Sequence, residues 1–122
     1  MNQSILLVDD DPNFLSLVSD YLDFKGLQVF TAESIESGWQ SYSEINPDVV
    51  VSGIAMQSTD CGYRLFHRVR EQNSSQPFIF LSSQLNVPSK KENAMKLNAD
   101  AYFGKPFEPE ELLAAIEKLL QM

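Results

Sequence analysis

Pro47-Asp48-Val49-Val50-Val51-Ser52-Gly53-Ile54-Ala55-Met56 is the stretch on which the fold turns. Three β-branched residues in a row, apolar at both alternating positions, mark a strand buried on both faces, as in a parallel sheet. The run ends in a small residue and a glycine instead of continuing into a helix. The C-terminal end of such a strand faces the crevice where open α/β sheets place their ligands. Here the residue at that end is Gly53, which has no side chain to do chemistry with.

Strand-like and helix-like periods alternate on either side. Upstream, Ile5-Leu6-Leu7-Val8 is a short apolar run that stops at Asp9-Asp10-Asp11. Pro12 suits the first position of a helix, with Asp11 as its N-cap. Phe14, Leu15, Val18, Tyr21 and Leu22 recur at helical spacing, and Gly26 supplies the stop. Gln28 to Ala32 reads as a strand. A helix from about Ser34 carries Ile35, Trp39 and Tyr42 on one face, until Asn46-Pro47 breaks it.

Downstream, a loop through Ser58-Thr59-Asp60-Cys61-Gly62 leads to a helix over about Tyr63 to Gln72 that buries Leu65, Phe66 and Val69. The polar turn Asn73-Ser74-Ser75-Gln76-Pro77 precedes a buried strand, Phe78-Ile79-Phe80-Leu81. A weak, polar helix is expected over Ser89 to Leu97, then a short strand at Ala101-Tyr102-Phe103 ending in Gly104-Lys105-Pro106. A final helix over about Pro109 to Leu120 carries Leu112, Leu113, Ile116, Leu119 and Leu120. Five β–α units in one domain over 1–122, without internal repeats, imply a parallel sheet covered on both faces with right-handed crossovers.

Composition narrows the function. The 122 residues carry nine basic and seventeen acidic side chains, a formal charge of -8, which argues against a nucleic-acid surface. A single cysteine, Cys61, excludes an intramolecular disulfide, and the N-terminus lacks the features of a signal peptide. No apolar run approaches bilayer-spanning length, so a cytoplasmic location without membrane contact is expected.

Three strand ends carry polar groups able to converge: Asp9, Asp10 and Asp11 at the first, Ser82 and Ser83 at the fourth, and Lys105 at the fifth. Adjacent carboxylates suit a hard cation such as magnesium. A hydroxyl and an ammonium on neighbouring strands suit phosphoryl oxygens. Against this stands the plainer reading, in which aspartates after a strand only cap and turn. No glycine-rich turn follows the first strand, which removes a dinucleotide cradle. One histidine (His67, on a polar helix face) and one cysteine make a zinc site improbable.

Together these residues resemble the response-regulator receiver domain of two-component systems, over about Ser4 to Leu120. The resemblance is carried by Ile5–Pro12, Pro47–Ser52, Leu81-Ser82-Ser83 and Asn98–Phe107. It implies a flavodoxin-like (βα)5 fold, doubly wound, with a five-stranded parallel sheet of order 2-1-3-4-5. It also implies magnesium at Asp9, Asp10 and the carbonyl of Ala55, and phosphoryl contacts from Ser82 and Lys105. Tyr102 would be an aromatic that changes rotamer on phosphorylation. Partners would be a histidine kinase, an output domain or another regulator, and the domain would be a signalling module rather than an enzyme.

Counting from Pro47-Asp48 puts the phospho-acceptor position at Gly53, and this is the departure. An acyl phosphate needs a carboxylate nucleophile, which glycine cannot supply. One magnesium ligand goes with it, so metal binding is possible but weakened. Lys105 is expected to pair with Asp9 or Asp10 instead. The following loop departs too, with Cys61 as an apparent insertion. Neither Ser52, expected on the opposite sheet face, nor Asp60 is a good substitute acceptor.

The leading reading is a pseudo-receiver working through protein contacts. The alternative is a conventional phosphorylatable regulator in variant form, such as the N-terminal domain of a transcriptional regulator. A magnesium hydrolase using Asp9 or Asp10 lacks the required motif spacing.

Overall fold

Strands and helices alternate as expected in the computed structural model, which describes residues 3–54, 61–82, 99–104 and 107–121, with only the backbone of Cys61. Strands β1 (Ser4–Val8), β2 (Gln28–Ala32), β3 (Val49–Gly53), β4 (Phe78–Ser82) and β5 (Ala101–Gly104) form one parallel sheet. Its order is β2-β1-β3-β4-β5. Helices α1 (Pro12–Phe24), α2 (Ile35–Ile45), α3 (Cys61–Gln72) and α4 (Pro109–Leu120) flank it. The helix expected over 89–97 lies outside the described residues.

The period of two along each strand sorts its side chains onto two cores. Leu6, Val8, Val50, Phe78 and Phe80 pack against Tyr42, Leu65, Phe66 and Val69 of α2 and α3. Ile5, Leu7, Val49, Val51, Ile79 and Leu81 pack against Leu15, Val18, Leu22, Leu112 and Ile116 of α1 and α4. Every residue of β3 and β4 is therefore buried, whereas the edge strands β2 and β5 are only partly covered. Each large apolar side chain so buried contributes about 1.5–3 kcal/mol relative to exposure.

Local chemistry ends the helices where the sequence suggests. The Asp11 carboxylate accepts from the Asn13 and Phe14 N–H groups at the start of α1, and Pro12 follows it. After α1 the chain turns at Gly26 with φ +96°, a conformation open to glycine at little cost. Ser34 and Ser37 cap α2 reciprocally, and Asn46 closes it in the left-handed region with φ 53°. Glu110 and Glu111 in the first turn of α4, with Lys118 in its last, complement the helix dipole.

Side-chain hydrogen bonds tie down the N-terminal pole of the sheet. Asp48 accepts from the Ser4 N–H at 2.8 Å, locking the start of β1 beside β3. Gln76, only 4 % exposed, directs its amide N–H groups toward the carbonyls of Pro47, Asp48 and Pro77 and accepts from the Tyr42 hydroxyl. Asp100 accepts from the Phe78 N–H at 2.8 Å and from Arg70 at 3.2 Å, fixing β4 beside β5.

Candidate functional site

The strand register decides which side chains meet at the carboxyl pole. Val8 lies opposite Ser52, so Asp9, the next residue, follows β1 out beside the end of β3. Gly53 is the last residue of β3 and lies opposite Leu81, one residue before Ser82. Ser82 in turn lies opposite Gly104, the last residue of β5. Asp9, Gly53 and Ser82 thus share one end of three adjacent strands. Ala55, Ser83, Asp60 and Lys105, and with it the expected pairing of Lys105 to an aspartate, lie outside the described residues.

The aspartates differ in environment. Asp9 is 2 % exposed, and its carboxylate accepts from the Asp11 N–H at 3.1 Å. Asp10 faces solvent, and Asp11 is committed to capping α1. The plain capping reading therefore holds for Asp11, while the Asp9 carboxylate makes a turn bond of its own to Asp11 yet sits buried at a strand end. Ser82 is 6 % exposed. Ser52 is fully buried, and its hydroxyl donates to the Gly53 carbonyl at 2.9 Å. His67 is exposed, with its ring edge-on to Phe66.

The approach of α3 to this pole rests on a glycine that the sequence reading passed over. The Gly62 N–H donates to the Ile54 carbonyl at 2.8 Å, joining the first turn of α3 to the end of β3. A Cβ on Gly62 would collide with the Gly53 carbonyl oxygen and lie 2.7 Å from the Ile54 Cα. Both are backbone atoms without room to rotate away, so glycine is required here for space. Cys61, the apparent insertion, is the first residue of α3. Gly62→Ala is expected to cost about 1–3 kcal/mol through this overpacking. A denaturant midpoint within error of wild type would contradict it.

Tyr102 lies on β5 against the α3 side of the sheet. Its ring stacks on Phe80 with centroids 6.0 Å apart, and its hydroxyl accepts from the Ala99 N–H at 3.0 Å. Burial pushes the Tyr102 hydroxyl above its ordinary pKa, while the Ala99 hydrogen bond and the Arg70 charge pull the other way. Tyr63, edge-on to the same Phe80 ring, is raised by burial and by its proximity to Tyr102. Both hydroxyls therefore stay protonated around neutral pH.

Among the described residues, no helix is long and apolar enough to cross a membrane. The family model for the response regulator receiver domain matches residues 5–117. The chain is 33% identical over 117 residues to the transcriptional regulatory protein TrcR of Mycobacterium tuberculosis, covering 96% of this chain and 45% of that protein. It spans about half the length of the curated relatives it matches.

Among solved structures, the BeF3-activated DrrB receiver domain superposes with a TM-score of 0.88 at 30% identity, covering 100% of both chains. The chemotaxis response regulator CheY4 of Vibrio cholerae superposes with a TM-score of 0.85 at 26% identity, covering 98% of this chain and 99% of that one. The parallel sheet of order 2-1-3-4-5 matches these structures. The chain belongs to the response regulator receiver domain family of two-component signalling.

Proposed function

We propose that this receiver domain is a pseudo-receiver, in which Gly53 stands at the phospho-acceptor position and phosphoryl transfer to aspartate does not occur. The observation that carries the reading is Gly53 at the carboxyl end of β3, level with the buried Asp9 and adjoining Ser82. A nucleophile at that point would need a carboxylate, and glycine offers none. Ser52 is a poor substitute, because it is fully buried and its hydroxyl is engaged with a backbone carbonyl.

Receiver domains generally bind magnesium at the phosphorylation site. Asp9 and Asp10 offer two adjacent carboxylates, hard oxygen donors of the kind magnesium takes alongside retained water. Gly53 adds no donor, and the described residues contain no group of three His, Cys, Asp or Glu able to hold a metal. In this reading Asp9, Asp10 and the Ala55 carbonyl hold the ion weakly, while Ser82 and Lys105 remain as parts of a phosphoryl pocket without its acceptor.

Receiver domains of two-component systems interact with histidine kinases and output domains. This chain would signal through such protein contacts at a face that includes β5, where Tyr102 stands, and α4. The Ala99 hydrogen bond and the Phe80 stack support a Tyr102 that stays in place rather than one switched by phosphorylation. Incubation with acetyl phosphate and magnesium, followed by intact-mass measurement, tests the reading. The expected spectrum contains only unmodified protein, and an adduct of one phosphoryl group would overturn it.

A further inference from the structure

Among the described residues, the large apolar side chains left exposed lie on one helix. Leu17 is 68 % exposed, and Phe24 is 85 % exposed even with the Lys25 ammonium 5.8 Å from its ring centroid. With the half-buried Tyr21 between them they recur at i, i+4 and i+7, a stripe along the outer side of α1. Asp20 stands within the same stripe and Asp23 beside it, both exposed. Isolated exposed apolar residues are ordinary, but these adjoin one another, as the residues of a contact surface do.

Charge is distributed unevenly over the helices. α1 contains Asp20 and Asp23 and no basic residue, and α2 contains Glu36 and Glu44 and no basic residue. α4 sets Glu110, Glu111 and Glu117 against Lys118. Of these four helices only α3 is basic, with Arg64, Arg68 and Arg70 against Glu71, in a chain of formal charge -8. Arg64, His67 and Arg68 are exposed at i, i+3 and i+4, so they share the outer side of α3, with Glu71 ending the row.

The arginines of this helix are held differently. Arg70 is spent on Asp100 and the Gln76 carbonyl. Arg68 lies over the ring of Trp39 on α2, 4.2 Å from its centroid, and has no ion pair among the described residues. A guanidinium supported by an aromatic ring keeps its N–H donors for an incoming carboxylate.

These two surfaces lie on opposite sides of the sheet. α1 packs on the core that contains Ile5, Leu7 and Val51, and α3 on the core that contains Leu6, Val50 and Phe80. One copy of the chain can therefore offer its α1 stripe to the α3 row of the next and still have an unused surface of each kind at the ends. Such a contact is heterologous, and it repeats instead of closing as a two-fold dimer.

We infer that α1 of one copy docks on the α2–α3 face of a second copy. Leu17 and Phe24 lie against Trp39 and the apolar stem of Arg68, and Asp20 and Asp23 face the basic row. Charge complementarity selects this occupant. The α3 row calls for an acidic helix with an apolar stripe, and although α2 and α4 are also acidic, α1 is the described helix that exposes large apolar side chains. The contact uses neither β5 nor α4, and it is independent of what stands at residue 53. A single helix laid on a helix pair is smaller than a standard interface, so association is weak, half complete at about 100 μM.

Sedimentation equilibrium of the chain over about 10–500 μM is expected to show an average mass that rises with concentration and passes that of a dimer. It should fall again in about 0.5 M sodium chloride, which screens the charge pairs. Trp39, the single tryptophan, lies beneath Arg68, so its fluorescence should change over the same concentration range.

Phe24→Glu spoils the α1 stripe and leaves the α3 row intact, and Arg68→Glu does the reverse. Both positions are exposed, so circular dichroism and Tm should stay within error of the original chain. Each variant alone is expected to associate at least about tenfold more weakly. An equimolar mixture of F24E and R68E should recover a 1:1 dimer and go no further, because each chain supplies the surface that the other lacks. A chain that stays monomeric over the whole range, or a mixture no heavier than its components, would overturn the inference. So would self-association that F24E abolishes and R68E leaves intact, which would mean that α1 meets α1. Association untouched by either change would place the contact elsewhere and overturn it as well.

Discussion

If Gly53 stands at the phospho-acceptor position, replacing it by aspartate (Gly53→Asp) is expected to let the chain take a single phosphoryl group from acetyl phosphate in the presence of magnesium. The position is buried at the end of β3, level with Asp9 and one strand from Ser82. A carboxylate there supplies the nucleophile and completes a group of three acidic side chains with Asp9 and Asp10. The same change has an opposite effect on stability when no metal is present. A further negative charge beside the buried Asp9 is repelled and poorly solvated, which costs on the order of 1–3 kcal/mol near neutral pH.

Magnesium binds the folded chain and not the unfolded one, so it should recover that loss by mass action. Intact-mass spectra and melting temperatures with and without magnesium check both halves. Three results are expected together: a phosphoryl adduct, a larger magnesium-induced rise in Tm than in wild type, and a lower Tm than wild type without metal. If magnesium stabilised the variant but no adduct formed, the obstacle would lie in the altered loop leading to Cys61 rather than at residue 53. The attribution of the lost phosphoryl transfer to Gly53 would then lose its main support.

Phe80→Ala should bring the largest loss of stability of any single truncation in the α2–α3 core, about 3–5 kcal/mol. Phe80 is fully buried in the middle of β4, and four aromatic rings meet it. Phe78 lies at 5.0 Å, Phe66 at 5.3 Å, Tyr63 at 5.6 Å and Tyr102 at 6.0 Å between centroids. Removing it leaves a cavity at the centre of this cluster and takes away the ring on which Tyr102 stacks.

Chemical denaturation measures the loss, and the near-ultraviolet circular dichroism of the tyrosines should weaken alongside it. A loss below about 1.5 kcal/mol would mean that the surrounding rings collapse into the space, contrary to the packing described. Phe66→Ala is the useful comparison. It removes another ring of the same cluster without touching the β5 side, so Tyr102 should keep its stack.

Much of the fold was legible because its signals are local. Val49–Val51 and Phe78–Leu81 are apolar on both alternating positions, which only a strand covered on two faces requires. Asp11-Pro12, Gly26 and Asn46-Pro47 act within a few residues of themselves, and each ends or begins a helix as its chemistry predicts. Element ends were less legible. β3 runs two residues beyond its apolar stretch, to Gly53, and β4 one, to Ser82, because the parallel ladder continues after hydrophobic patterning stops. The start of α3 moves from Tyr63 back to Cys61, drawn by the Gly62 hydrogen bond to Ile54.

What the amino-acid sequence determined by itself is therefore the alternation of elements, the residues facing each core, and the presence of glycine where an aspartate would be expected. The first two follow from periodicity and from chemistry between near neighbours, and the third from the resemblance to receiver domains. Only the tertiary structure separated Asp9 from Asp10, burying the first while leaving the second exposed. It alone made Gln76 a buried crosslink instead of a turn residue, and Gly62 a contact point for the backbone of β3. Each depends on segments far apart in the chain meeting at one pole of the sheet, and the long-range register that brings them together leaves no periodic trace in the residues that use it.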